Sequence, residues 1–335
     1  MGTALTFIGM VLVILAQVGS LVINKLAFSN GINKYVLLVY TNALSTLILL
    51  PCSFIFHRSQ RPPLSFSVLL RIFLLALIGV VLNIFSSVGI EYSSPVLATA
   101  MLNLIPAFTF ALTLILRMEK LDWRSRSSVA KLLGTIVSIT GAFVVTFYKG
   151  ATLLKTPKSS WILGGFFLTA ESFLISVWYI LQTFILRSFP AVVTVMFYYC
   201  FFCTIVCGVY SFVVVNDVDA WRLRLDIGLV ALLYSTIVTT VFKNTLCAWC
   251  LWKAGPLYVS MFKPLGIILA VLLDFVFLGE SLHLGSVIGA SVIVVGFYLV
   301  MWGKAKEEYV IDHDTDLGRK APLLPTKIKS EIVVA

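Results

Sequence analysis

The sequence predicts an all-α polytopic membrane protein, with ten transmembrane helices forming two inverted five-helix repeats. Three observations lead there. Of 335 residues, 60% are hydrophobic and only 12% charged, against about a quarter charged in a soluble domain. Apolar runs of about 18 residues or more, long enough to cross a bilayer as a helix, recur along almost the whole length. A proline and an acid of the first half return in the second at one spacing, and a glycine pair returns beside them.

The runs place spans at about 4–24, 35–56, 69–90, 95–116, 129–148, 161–182, 191–213, 227–249, 256–278 and 284–302. The opening "MGTALTFIGMVLVILAQVGS" has neither a basic n-region nor a clear small-x-small cleavage site, so it reads as a retained first span rather than a signal peptide. Gly2 and Thr6 also fit a myristoylation pattern, which a span starting at once makes a chance match. The segment 303–335 is polar and mixed in charge and reads as a flexible cytosolic tail.

The net charge of +10 raises the question of nucleic acid. The basic residues, however, sit in short loops between spans. Alternating the loops puts twelve of them on the side of the termini and seven opposite, and the cytosolic bias of Lys and Arg puts the termini inside. The expected partners are a lipid bilayer and a small-molecule substrate, with no nucleic acid. The six cysteines lie in apolar spans without His or acid at ligand spacing, and read as packing residues. No cofactor or metal is expected.

Pro95 and Pro256 each open a span, and Glu119 and Glu280 follow in "RMEKL" and "LGESL". Both matches are 161 positions apart (95 to 256, 119 to 280). Gly134 and Gly141 are echoed by Gly289 and Gly296 in the next span of each half. A unit of five spans must enter the membrane from the opposite side when repeated, which gives an inverted repeat, 1–150 and 151–302. Transporters built so bind substrate near the midplane between repeats.

Charged groups in hydrocarbon are costly and usually face a cavity or a partner. Four occur inside spans: Glu171, Lys243, Lys263 and Asp274. Lys263 stands beside Pro264, which removes a backbone donor; an ammonium there suits a carboxylate, or else snorkels to the interface. Asp274, eleven residues on, shares its face about 16 Å away and reads as a water-exposed acid. Lys243-Asn244 follows the threonine-rich "STIVTTVFKN", and Lys243 either pairs with Glu171 or contacts substrate. Glu171, Trp178 and Gln182 share a face of span six, as Gln17, Ser20 and Asn24 do on span one. Asn83 with Ser87, and Thr99 with Asn103, place polar groups on spans three and four. Asn103 matches Pro264 in the repeat, with Pro106 one turn on. The substrate-binding candidates are thus Lys263, Lys243, Asn244, Asn103, Gln182, Asn24 and Asn83; the alternative for each amide is a helix-to-helix hydrogen bond. A carboxyl withdrawn from water holds its proton more readily, which makes Glu171 the candidate for proton coupling. Gly134, Ser138 and Gly141, and Gly285, Gly289 and Gly296, form small-residue faces for close packing within the bundle or between protomers of a homo-oligomer.

Three stretches, "VGSLVINKLAFSNGINKYVLLVY" (18–40), "NLIPAFTFALTLILRMEKLD" (103–122) and "FKPLGIILAVLLDFVFLGESLHLGSVIGASVIVVGFYLVMWGKAKEE" (262–308), resemble the plant EamA-type, nodulin-like transporters of the drug/metabolite transporter superfamily, the "usually multiple acids move in and out" group. In many relatives an arginine follows the tyrosine at Tyr40; here Thr41-Asn42 follows. The resemblance implies ten helices in two repeats and movement of amino acids or related small organic solutes. The plasma membrane is the expected location, with the vacuolar and ER membranes as alternatives. A facilitator channel, or a carrier of phosphorylated sugars or nucleotide sugars, is the alternative function, since two intramembrane lysines suit a phosphate. An enzyme is not expected: GxSxG, HExxH, paired aspartates in spans and a His at a span centre are all missing.

Overall fold

A computed structural model describes residues 2–29, 31–56, 65–93, 95–118, 126–148, 158–215, 221, 227–266, 268–269, 288–303 and 305–306. Asp274, Glu119, Glu280, Gly285 and the tail beyond residue 306 lie outside these. Among the described residues the chain is helical throughout, with no strand.

The helices follow the apolar runs. They are α1 (Gly2–Ser29), α2 (Lys34–Phe56), α3 (Phe66–Tyr92), α4 (Pro95–Leu102), α5 (Ile105–Ile115), α6 (Arg126–Tyr148), α7 (Lys158–Ser188), α8 (Val192–Val214), α9 (Ile227–Tyr234), α10 (Asn244–Ala254), α11 (Pro256–Met261) and α12 (Ile288–Gly303). Five stretches are long and apolar enough to cross a membrane: Lys34–Ile55, Phe66–Tyr92, Ile162–Ser188, Val192–Val214 and Gly228–Ala254. Large apolar side chains such as Ile55, Phe66, Phe212 and Val213 point outward along them. On a soluble protein these would be an aggregation hazard; here they form the lipid-facing surface. Ser65 caps α3, its hydroxyl accepting the Val68 N–H at 3.4 Å. Gly255, at φ 85°, makes the left-handed turn into Pro256 at the start of α11.

Two departures from regular helix matter for function. The run expected as one helix over 95–116 is split at Asn103–Leu104 into α4 and α5. The break precedes Pro106, whose ring removes a donor; Ser172 and Ser176 of α7 donate to the Met101 and Ile105 carbonyls at 2.8 and 3.1 Å. The chain breaks again at Phe262, between α11 and a helical segment over 263–266 that holds Pro264. The second departure is a π-helical stretch, Ser235–Lys243, joining α9 to α10. The Asn244 N–H reaches back five residues to the Thr239 carbonyl, the bond that defines this wider helix.

The most extensive packing runs α3 along α7 and α2 along α8. α1 lies against α10 and the π stretch, and α5 against α11. α6 crosses α12 at near-contact distance: a Cβ on Gly134 would meet the Gly296 carbonyl oxygen at 2.6 Å, and one on Gly141 the Gly289 oxygen at 2.9 Å. The small-residue faces therefore pack on one another within a single chain.

Candidate functional site

Lys263 opens the helical segment after the break at Phe262 and is half-buried. Its Nζ donates to Gln17 Oε1 of α1 at 3.4 Å. The same ammonium stands 6.0 Å from the centroid of the Tyr179 ring on α7, within cation–π reach. Glu171, two turns before Tyr179 on the same helix, is buried. The Ser86 hydroxyl of α3 hydrogen-bonds its carboxyl, and Lys263 attracts it electrostatically. Lys243, the last residue of the π stretch, is half-buried and is repelled by Lys263, while both lysines act on the Cys247 thiol one turn further on.

Thus two ammonium groups and one carboxyl interact inside the helical bundle. They come from α7, the π stretch and the segment after Phe262, with an amide from α1 and a hydroxyl from α3. With Glu171 ionised the three carry one net positive charge, which an anionic group offsets; with Glu171 protonated they carry two. The two helix breaks adjoin the site: Ile105, Tyr179, Tyr258 and Phe262 pack in one apolar cluster. The Trp178 ring stacks against Tyr179 and Tyr199 at 5.7 and 5.9 Å, edge-on or tilted, and its indole N–H is buried without a partner.

The other candidates are placed as follows. Asn24 accepts from Ser235 at 3.0 Å and donates to Ser20 at 3.2 Å, tying α1 to the start of the π stretch. Gln182 is fully buried, donates to Met196 Sδ at 3.4 Å and leaves Oε1 unpaired. Asn103, only 1% exposed, sits at the α4–α5 break with its amide nitrogen unpaired. Asn83 is exposed and donates to the carbonyl of Gly79 on its own helix at 2.9 Å. Asn244 opens α10, half-buried.

The partners of Glu171 come from helices that its own span does not specify. The cation acting on Glu171 is Lys263, whereas the sequence leaves Lys243 either to pair with Glu171 or to contact substrate. The hydroxyl that reaches it is that of Ser86, a residue before Ser87, which the sequence groups with Asn83 as polar groups of span three. Residues three and four apart both neighbour Asn83 on a helix, so periodicity alone does not choose between them. Tyr179 carries no signal in an apolar span, and Cys247 reads there only as a packing residue, until Lys263 is seen beside them.

Comparison with known proteins agrees with this architecture. The profile of the EamA-like transporter family matches residues 2–147 and 162–302. The WAT1-related protein At5g40240 of Arabidopsis thaliana is 42% identical over 342 residues, spanning 96% of this chain and 92% of the relative. The WAT1-related protein At3g28050 of the same plant is 44% identical, spanning 89% of this chain and 85% of its own length. The crystal structure of a protein 15% identical in sequence superposes with a TM-score of 0.69 over 91% of this chain and 99% of its own, which shows a shared fold. The chain belongs to the EamA-like transporter family, as a plant-type member of the drug/metabolite transporter superfamily: a multi-pass membrane transporter of small solutes.

Proposed function

We propose that this transporter moves amino acids or related small organic solutes by alternating access, with the substrate's anionic group held between Lys263 and Lys243 at the midplane. The carrying observation is the convergence of Lys243, Lys263 and Glu171, groups too costly to hold in hydrocarbon without a purpose. Two inverted repeats, 1–150 and 151–302, frame the site, and the tail 303–335 and both termini face the cytosol of a plasma-membrane protein. The helix pairings support this. Exchanging the halves turns the α3–α7 contact into that of α1 with α10 and the π stretch, and returns α2–α8, α5–α11 and α6–α12 to themselves. The breaks at Asn103–Leu104 and Phe262 fall at corresponding places, as expected where discontinuous helices meet a substrate.

Glu171 is the proton-coupling group of this reading: ionised it holds Lys263, protonated it releases that ammonium to the substrate. Uptake of labelled amino acids in oocytes or yeast, at an acidic and a neutral external pH, tests both parts. Wild-type uptake is expected to saturate and to change with pH. Glu171→Gln is expected to transport with a flattened pH response, and an unchanged pH response removes the coupling role. A second reading, a carrier of phosphorylated sugars, draws on the two ammonium groups within electrostatic reach of each other; inhibition of amino-acid uptake by a sugar phosphate distinguishes it.

A further inference from the structure

The π stretch is the feature that the site description leaves unexplained. Regular α-helix is the lower-energy form for an apolar span, and π turns concentrate at functional sites. Here the stretch covers Ser235–Lys243 and ends on a site lysine. An α-helix turns about 100° per residue, and a helix bonded five residues back turns less. The difference accumulates over the stretch, so in an α register Lys243 would leave the helix on another side and lose its position near Lys263. The direction of Lys243 is therefore set by the register of the residues before it.

Few side-chain contacts hold that register. At its start the Ser235 hydroxyl donates to Asn24 Oδ1 at 3.0 Å, and Asn24 is braced by Ser20 at 3.2 Å. Thr236 bonds back to Leu232 of its own helix. Farther along, the Thr239 hydroxyl within the stretch and the Thr245 hydroxyl just beyond it are buried without partners, so neither holds the register. The same α1 stripe reaches Lys263 through Gln17 two turns earlier. One face of α1 thus contacts both lysine-bearing elements.

We propose that Asn24 and Ser235 are positioning residues: their hydrogen bond fixes the π register that turns Lys243 toward Lys263, and so sets the spacing of the two ammonium groups that meet the anion. This rests on the transport reading only for its consequence, not for its geometry. Loss of the bond lets the stretch relax toward α-helix and swings position 243 away from the positive field of Lys263.

The test separates geometry from transport. In a background with the six native cysteines replaced by serine, Lys243→Cys is labelled in membrane vesicles with a negatively and a positively charged methanethiosulfonate. The ratio of the two rates reports the field of Lys263 at position 243. The anionic reagent is expected to react faster, and Ser235→Ala or Asn24→Leu to reduce that preference, since losing one hydrogen bond shifts the register equilibrium by about fivefold. Ser235→Thr, which keeps the hydroxyl, is expected to restore it, so general misfolding is told apart from loss of register. In the chain with Lys243 intact, Ser235→Ala is expected to raise the KM for amino-acid uptake. An unchanged reagent preference in both Ser235→Ala and Asn24→Leu overturns the proposal, whatever transport does. A preference that falls while uptake is unaltered upholds the positioning and refutes the substrate role of Lys243 instead.

Discussion

Lys263→Ala is expected to reduce amino-acid uptake at least about tenfold at equal surface expression, the largest functional effect of any single site residue. A hydrogen bond to a charged group contributes about 1.5–3 kcal/mol, and each 1.4 kcal/mol is tenfold in affinity. Lys263 interacts with both other charged members of the site and with two neutral ones: it attracts Glu171, repels Lys243, donates to Gln17 and faces the Tyr179 ring. Its removal need not unfold the chain. Glu171 can take a proton instead of remaining as an uncompensated charge, and keeps its bond from Ser86. Two companions sharpen the result. Lys263→Gln keeps a donor for Gln17 without the charge, and is expected to resemble the alanine variant. Lys263→Arg keeps the charge in a larger planar head, and is expected to retain part of the activity. Measurement is initial uptake rate against substrate concentration, with surface protein quantified by biotinylation. Wild-type uptake by Lys263→Ala would remove the lysine from the pathway and with it the proposed site.

What could be read in advance divides along physical lines. The helical class was legible because the length of an apolar run is a local property that the bilayer alone demands. The charges stood out for the same reason: Lys263, Lys243 and Glu171 are costly wherever they sit in hydrocarbon. Their pairing was not legible. Whether Glu171 meets Lys263 or Lys243 depends on which helices lie side by side, and spacing within one helix is silent on that. The prolines announced the helix breaks, but the breaks fall before them, at Asn103–Leu104 and Phe262, because a proline has no N–H to bond four residues back and its ring crowds the carbonyl there; Leu104 and Phe262 themselves keep αR dihedrals. The π stretch left only a cluster of Ser and Thr as its trace, since its register is a matter of backbone bonds. Amides are ambiguous for a further reason. Asn24 and Gln182 look alike as intramembrane polar residues, yet one bridges two helices and the other lies against a methionine sulfur.

The second large effect concerns stability. Gly296→Leu is expected to destabilise the folded bundle severely, with loss of most of the monodisperse protein after mild detergent extraction. A Cβ on Gly296 would touch the Ser138 backbone nitrogen and lie 2.7 Å from the Ser138 Cα and the Gly134 carbonyl oxygen. All three are backbone atoms of α6, so no rotamer change relieves the clash and the two helices must separate. Overpacking a core costs about 1–3 kcal/mol where side chains can adjust, and here they cannot. Separation would also strip contacts around Gly141, where the helices are so close that an added Cβ would meet the Ile293 nitrogen at 2.7 Å. Gly208→Ala is the internal control: nothing lies within 4 Å of a Cβ there, and alanine favours helix over glycine by about 1 kcal/mol, so this variant is expected to match or exceed the parent. Thermal melting of detergent-solubilised protein, followed by size-exclusion fluorescence, orders the three as Gly208→Ala at or above wild type, with Gly296→Leu far below. If Gly296→Leu instead melts with wild type, α6 and α12 do not cross as closely as their glycines indicate.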